Sequence, residues 1–236
     1  MDKYILTARV YPMIIFYLPL SVLLTVVVWD FHKYFQYGVP AFLLSVFAYL
    51  ISQFGRDGGK KKEPKLWLEW GGAPTTQLFR WRDNKIDDFT KQKNHVKMEN
   101  ISPVGFVVDR NYEINNPDLA DNVFQSWTKH IIGKTRDKIK YPLIFKENVA
   151  YGFRRNLWGL KPYSIILIIF LMISVYLYFV FSLHSWNPEN LPKNFIIAEV
   201  YLLIFLIFWL FRITKSWIKV PAFAYAERIH EAIDTL

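Results

Sequence analysis

The chain has 236 residues, of which 53% are apolar and 18% aromatic, and it carries a formal net charge of +9. Its apolar residues are gathered into blocks, and this composition favours a membrane protein over one large soluble domain. The chain contains no cysteine, which excludes disulfide bonds, thiolate zinc sites, cysteine-ligated iron–sulfur clusters and cysteine nucleophiles.

Four apolar blocks predict membrane-spanning helices, because a helix needs about 20 mostly apolar residues to cross a bilayer core. The blocks cover Tyr11–Trp29, Val39–Phe54, Tyr163–Leu183 and Phe195–Phe211. The third block is the clearest, since it is mostly apolar, uncharged and as long as a bilayer core requires, whereas the second and fourth blocks look short. Pro19 lies inside the first block, where we expect it to kink the helix.

The distribution of Lys and Arg predicts how these spans are oriented. The segment between the second and third spans, Gly55–Pro162, carries 21 Lys or Arg residues against 13 Asp or Glu residues. The loops Asp30–Gly38 and His184–Asn194 each carry a single Lys. Basic segments stay on the cytoplasmic side of a membrane. We therefore expect a multi-pass membrane protein with the central domain and both termini in the cytoplasm.

The central segment predicts a mostly helical domain. Asn116 can cap a helix, and Pro117 suits the first helical position. The segment Ile101–Arg110 contains Pro and Gly and predicts a loop. The remaining expected elements are a polar linker at Gly55–Lys65 and helices at Asn84–Glu99, Asn116–Lys140 and Leu143–Trp158.

After the fourth span, Pro221–Leu236 predicts an amphipathic helix whose apolar face holds Phe223, Ala226, Ile229 and Ile233. The predicted fold is an all-α membrane protein with four transmembrane helices and a mostly helical cytoplasmic domain inserted between helices 2 and 3. Its expected parts are a first transmembrane hairpin at residues 1–54, a basic cytoplasmic domain at 55–162, a second transmembrane hairpin at 163–214 and a cytoplasmic amphipathic tail at 215–236.

Signs of catalysis are few. The five histidines are widely separated in the sequence, and no pair of them has the spacing of metal ligands on a helix. The sequence contains no P-loop, GxSxG or kinase signature. Asp87 and Asp88 are adjacent and therefore point in different directions on a helix. We expect a protein that is not an enzyme and that needs no metal or cofactor.

The strongest candidate for a ligand site is the stretch LWLEWGGAPTTQLFRWRD, residues 66–83. Its two glycines permit close backbone approach, and a Thr can cap a helix whose first N–H groups bind an anion. Basic and aromatic residues in alternation are typical of proteins that bind nucleotides or single-stranded nucleic acid. The alternative is a turn and short helix whose tryptophans pack on the domain core or on the lipid headgroups. The candidate ligand-binding residues here are Trp67, Trp70, Thr75, Thr76, Arg80, Trp81 and Arg82.

Three further candidates lie outside this stretch. Lys134 and Arg136 lie in the basic C-terminal end of the predicted helix Asn116–Lys140, where a solvated basic helix end is the alternative. Arg154 and Arg155 lie shortly before the third span, where contact with anionic lipid headgroups explains them equally well. Glu199 lies about one turn inside the fourth span and either faces a pore or bundle interior or marks the membrane interface.

The four-span layout, the short outer hairpins and the segments WGGAPTT…RWR and GFRRN in a basic domain resemble the membrane effectors of bacterial anti-phage defence. Within that class the chain is similar to Hailong-type channel effectors. The resemblance implies a homo-oligomeric channel controlled by a nucleotide signal, with short DNA oligomers made by a partner nucleotidyltransferase holding it shut. It implies no catalytic residues.

The leading hypothesis is a homo-oligomer, with a tetramer favoured, whose cytoplasmic domains bind a nucleotide or a short single-stranded oligonucleotide and control an ion-conducting pore. Its other expected partners are membrane lipids and a nucleotidyltransferase. One alternative is a non-conducting, membrane-anchored sensor or assembly subunit that recruits a nucleic acid or soluble partner. Another is an enzyme acting on lipid or phosphate groups at the inner headgroups.

Overall fold

The computed structural model describes residues 3–22 and 39–236, and every regular element within these two ranges is helical. The main helices are α1 (Lys3–Ile5), α2 (Tyr11–Tyr17), α3 (Val39–Glu69), α4 (Pro74–Gln77), α5 (Asp88–Ile101), α6 (Arg110–Asn115), α7 (Pro117–Lys134), α8 (Pro142–Leu183), α9 (Lys193–Ile207) and α10 (Lys215–Glu231). Short π-helices cover Leu6–Val10 and Phe208–Arg212, and 3-10 helices cover Leu18–Leu20, Pro188–Asn190 and Ala232–Thr235.

The chain divides into two compact units. Unit 1 comprises Met1–Lys62 and Gly152–Trp217, and unit 2 comprises Glu63–Tyr151 and Ile218–Leu236. Helices α3 and α8 each contribute residues to both units.

Unit 1 contains the apolar helices. Among the described residues, Pro142–Leu183 and Lys193–Arg212 are long and apolar enough to cross a membrane, judged by length and composition. Only 28% and 17% of their most apolar stretches are buried inside the protein, so the described residues leave most of this apolar surface uncovered. The predicted first span, Tyr11–Trp29, is described only as far as residue 22. The rest of that span and the predicted outer loop, Asp30–Gly38, lie outside the described residues.

Two predicted boundaries are wrong, because α3 and α8 are longer than expected. The expected linker Gly55–Lys65 is helical and belongs to α3, and α8 passes through Pro162 to join the two predicted helices Leu143–Trp158 and Tyr163–Leu183. Helices α3 and α8 pack closely at their glycines, with backbone against backbone. A Cβ on Gly159 would overlap the backbone of Gly55 and Gly59. This close approach makes the glycines helical despite their low intrinsic propensity.

Three prolines in the helices leave a backbone oxygen without its usual partner, and a side chain of unit 1 binds each of these oxygens. Pro12 has no N–H for Ala8 O, and Asn156 Nδ2 donates to it at 2.6 Å. The oxygen freed by Pro162 is Trp158 O, to which Lys62 Nζ donates at 3.3 Å. The oxygen freed by Pro221 is Trp217 O, to which Arg154 donates at 2.7 Å. These bonds explain how the helices tolerate internal prolines.

Unit 2 has its own core, formed mainly by α5, α7 and α10. The predicted helix start at Pro117 is confirmed, although the Asn116 side chain makes no capping hydrogen bond, and α7 ends at Lys134 rather than Lys140. The predicted apolar face of the C-terminal helix is also confirmed, although α10 begins earlier, at Lys215. The core residues of unit 2 include Phe79, Met98, Phe124, Trp127, Ile131, Ile229 and Ile233.

Candidate functional site

The turn after α3 has a different geometry from the one expected. Gly71 and Gly72 have φ values of 92° and 127°, which strongly favour glycine. Pro74 takes the first position of α4, so Ala73 is the N-cap residue and the prediction that Thr75 or Thr76 caps this helix is wrong. Because α4 is only four residues long, it provides no extended N-terminus for an anion.

Arg80 is held by the protein itself. Its Nε donates to Asp121 Oδ1 at 2.8 Å, one terminal nitrogen lies 2.6 Å from Asp121 Oδ2, and the other donates to Gly71 O at 2.5 Å. A guanidinium bound in this two-point manner has little capacity left for a ligand phosphate. Arg80 therefore fixes the turn onto α7.

Trp81 and Arg82 lie next to a second buried carboxylate, that of Glu113. The Trp81 backbone N–H donates to Glu113 Oε2 at 2.6 Å, and its indole Nε1 donates to Val108 O at 2.7 Å. Arg82 is half exposed and lies 3.5 Å from Glu113 Oε1. The packing alternative for this part of the stretch is therefore well supported by contacts within unit 2.

The other predicted ligand residues are dispersed. Trp70 is partly exposed after the end of α3, and Lys134 and Arg136 are exposed at the end of α7. Arg154, Arg155 and Glu199 belong to unit 1, whereas the stretch 66–83 belongs to unit 2. Glu199 is partly buried, and its Oε1 has no hydrogen-bond partner among the described residues.

Three predicted residues, Trp67, Thr75 and Thr76, meet around a cavity of about 400 Å³ in unit 2. Small-molecule sites commonly measure about 300 to 1,000 Å³ and have mostly apolar walls with a few polar groups. This cavity matches that description in size and lining. The residues that complete it are Ala73, Pro74, Gln125, Thr128, Lys129, Ile132, Tyr151, Ala222 and Tyr225.

Two polar atoms on residues of this cavity lack partners. Trp67 Nε1 and Thr128 Oγ1 are buried, and neither makes a hydrogen bond within the described residues. Thr128 is only 7% exposed. Buried polar groups in native proteins are nearly always hydrogen-bonded, so these two atoms are exceptions among the residues around the cavity.

His230 contacts Thr75, one of the residues that line the cavity. Its Nε2 lies 3.0 Å from Thr75 O, and its Nδ1 is buried without a partner in the described part of the chain. Burial is the main cause that lowers the pKa of His230 to about 4. The ring is therefore neutral near pH 7, and the carbonyl contact assigns its one proton to Nε2. The nearby His95 also has a pKa lowered to about 4, mainly by burial.

The sequence did not reveal Thr128, Lys129, Tyr151 or Tyr225 as site residues. They come from α7, α8 and α10, which are far apart along the chain, and none lies in a recognisable motif. Among the described residues, no group of three or more His, Asp or Glu side chains is arranged to hold a metal ion. The arrangement is suited to enclosing a ring and binding its heteroatoms.

Comparisons with protein-family models, with curated proteins and with solved structures found no match to this chain.

Proposed function

We propose that this chain is a subunit of a homo-oligomeric membrane effector, in which a nucleotide bound in the unit 2 cavity controls an ion-conducting pore formed by unit 1. The observation that carries the proposal is the cavity itself, with its aromatic walls and its unpartnered Trp67 and Thr128 atoms. The effector acts by binding and has no catalytic step.

The membrane part of the proposal is supported by the apolar surface of α8 and α9. Side chains such as Ile166, Phe170 and Ile197 are 66%, 63% and 67% exposed. Apolar helices with this much exposed surface need lipid or other subunits around them. We assign four spans, with both termini and residues 55–162 in the cytoplasm of the bacterial inner membrane. We favour a tetramer, in which four subunits together surround the pore.

The ligand part rests on the chemistry of the cavity. Trp67, Tyr151 and Tyr225 present aromatic rings, on which a nucleobase can stack. The indole N–H requires an acceptor, and the Thr128 hydroxyl can donate or accept, as the ring atoms of a base demand. Lys129 also lines the cavity and provides one positive charge for a phosphate.

The net charge of unit 2 limits the class of ligand that we propose for it. Its two segments contain sixteen Lys or Arg residues and fifteen Asp or Glu residues, so unit 2 is almost neutral. Most of the charge excess predicted for the whole domain 55–162 therefore comes from its two ends, which belong to unit 1. A near-neutral unit favours recognition of one nucleotide, either free or at the end of a short oligonucleotide, over binding along a phosphate backbone.

Two helices connect ligand and pore in this proposal. Trp67 belongs to α3 and Tyr151 to α8, and both residues line the cavity. Each helix continues along the chain into a predicted span. A ligand that fits between the two aromatic residues can favour one arrangement of α3 and α8 over another, and thereby shift the population of open pores.

The decisive experiment has two readouts. Mass spectrometry of small molecules released from the purified protein identifies the nucleotide, and ion flux from proteoliposomes is measured with and without it. We expect a nucleotide to be released and the flux to change when it is added. Binding without flux under any condition would instead favour a non-conducting membrane sensor. The absence of any bound or added nucleotide ligand would overturn the proposal. A nucleotidyltransferase is the partner expected to supply the ligand.

A further inference from the structure

The positive charge of unit 1 is concentrated where three segments meet, which we call the basic junction: residues 55–62, 152–162 and 208–217. These segments contain nine Lys or Arg residues and a single acidic residue, Asp57. Glycine contacts bring the first two segments together, and Lys161 Nζ donates to Leu210 O and Ile213 O at 2.9 and 2.8 Å, which joins the third. So large an excess of one charge in one place requires anions nearby.

Hydrogen bonding to free backbone oxygens does not explain this charge. Lys62 binds the oxygen freed by Pro162, and Arg154 binds the oxygen freed by Pro221. The neutral amide of Asn156 performs the same task at the oxygen freed by Pro12. Because a neutral donor suffices, the use of cations at the other two positions indicates a second role.

Within the basic junction, the ammonium groups of two lysines lie near the ring of Trp158. Lys62 Nζ and Lys161 Nζ lie 5.7 and 5.4 Å from the centroid of the Trp158 ring. Neither lysine forms an ion pair with a carboxylate among the described residues, and both are partly exposed. Their contacts with backbone oxygens leave N–H groups on both ammonium ions available to an anion, since each ammonium has three donors.

We propose that Lys62, Lys161 and Trp158 form a binding site for the phosphate group of an anionic phospholipid. The junction directly precedes the uncharged stretch Tyr163–Leu183 along α8, so the site lies where a headgroup meets a spanning helix. Tryptophan is enriched at this depth, and basic pockets between spans on the cytoplasmic side bind anionic headgroups. This site does not depend on the nucleotide cavity, which lies in unit 2.

The test is native mass spectrometry of the full-length protein in detergent, titrated with dioleoylphosphatidylglycerol or dioleoylphosphatidylcholine. We expect the wild-type protein to prefer phosphatidylglycerol. The double variant K62Q/K161Q keeps two hydrogen-bond donors but removes both charges, and should lower phosphatidylglycerol affinity by about fivefold for each charge. The matched control K60Q/K61Q removes the same charge from two exposed neighbours on α3 and should retain the preference.

Equal binding of the two lipids by the wild-type protein would overturn the proposal. Equal losses in the two double variants would also overturn it, because they would show diffuse attraction rather than a site. If K62Q/K161Q does not fold, the single variant K62Q replaces it, since the one backbone contact of Lys62 is long at 3.3 Å.

Inorganic phosphate and AMP, titrated in parallel, distinguish a lipid from a soluble phosphate as the source of the anion. Tight binding of either that is lost in K62Q/K161Q would assign the site to a soluble phosphate and overturn the lipid assignment. The nucleotide released in the separate experiment on unit 2 is unaffected by either result.

Discussion

Arg80 and Asp121 form a two-point ion pair across 41 residues of chain, with nitrogen–oxygen distances of 2.8 and 2.6 Å. Both side chains are mostly buried, with exposures of 11% and 20%. Arg80 also binds Gly71 O, so it connects the glycine turn to α7. Arg80, which the sequence predicts to be a ligand contact, is therefore part of the framework of unit 2.

The first prediction concerns this pair. Arg80→Ala should lower the free energy of unfolding by about 3 kcal/mol, because it leaves a mostly buried carboxylate without its partner. Arg228→Ala is the matched control. Its ion pair with Glu231 is exposed on both sides, with side-chain exposures of 40% and 58%, so its loss should change the free energy of unfolding little. Thermal unfolding followed by circular dichroism measures both. Equal stability of the two variants, with nucleotide binding lost only in Arg80→Ala, would return Arg80 to the role of a ligand residue.

The second prediction concerns the unpaired hydroxyl in the cavity. Thr128→Val keeps the shape of the side chain and removes a buried hydroxyl that has no partner in the described residues. We expect unchanged or increased stability, because that hydroxyl is costly to bury, together with about tenfold weaker nucleotide binding. Isothermal titration calorimetry and thermal unfolding measure the two effects.

Thr135→Val is the control for this substitution. The Thr135 hydroxyl donates to Ile131 O at 2.9 Å, and Thr135 is not among the residues that line the cavity. Its loss should reduce stability by about 1 kcal/mol and leave nucleotide affinity unchanged. If Thr128→Val binds the nucleotide as the wild-type protein does, the cavity is not the ligand site.

Local rules predicted those parts of the fold that local chemistry determines. Pro117 begins α7 as expected, although Asn116 does not cap it with its side chain, and the apolar face of α10 is buried as its spacing predicts. The linker prediction at Gly55–Lys65 failed because glycine propensity is a local property, whereas these glycines are helical through contact with Gly159, about 100 residues away. The predicted break at Pro162 also failed because of a distant contact. Lys62 binds the backbone oxygen that Pro162 leaves free, and α8 continues through the proline.

The candidate site was predicted only in part. Trp67, Thr75 and Thr76 were found because they lie together in an unusual stretch of sequence, and they do line the cavity. The partners of Arg80 and Trp81, Asp121 and Glu113, lie on other helices. No pattern in a single sequence reveals such distant pairing. Composition thus identified the right stretch, but only the tertiary contacts separate its framework residues from its cavity residues.

The third prediction tests the bond between Asn156 and the oxygen freed by Pro12. Asn156→Ala should destabilise the protein by about 2 kcal/mol, because it leaves Ala8 O buried without its partner. Pro12→Ala supplies a backbone N–H for the same oxygen, so the cost of Asn156→Ala should be smaller in a Pro12→Ala background. Unfolding by SDS titration in mixed micelles, analysed as a double-mutant cycle, measures the coupling. Additive effects of the two substitutions would contradict this account of the proline.

The fourth prediction concerns pH. In the folded protein the pKa values of His95 and His230 are both lowered from 6.5 to about 4, mainly by burial. Between pH 6.5 and 4 the unfolded chain therefore binds more protons than the folded one, and stability falls as the pH falls through this window. The full effect is about 3 kcal/mol for each histidine. Below pH 4 the folded histidines also protonate, and this contribution to the slope ends.

Carboxylates titrate in part of the same window, so the test compares variants. His230→Gln keeps a donor near Thr75 O but does not titrate, and it should reduce the pH dependence of unfolding between pH 6.5 and 4. His130→Gln, on the partly exposed side of α7, is the control and should change the slope little. Identical slopes for wild type and His230→Gln would show that His230 is not held neutral in the folded state.

The last prediction tests the proposed orientation in the membrane, and the absence of cysteine from the wild-type chain makes it direct. Glu189→Cys places a thiol at an exposed position in the predicted outer loop between α8 and α9, and Ile139→Cys places one at a 93% exposed position in unit 2. A membrane-impermeant maleimide added to spheroplasts should label Glu189→Cys at once and Ile139→Cys only after lysis, since basic segments such as the one around Ile139 remain in the cytoplasm. The wild-type protein, which has no cysteine to label, is the negative control. Labelling of Ile139→Cys in intact spheroplasts would place unit 2 outside the cell, where a cytoplasmic nucleotide cannot reach its cavity, and would contradict both the orientation and the proposed control of the pore.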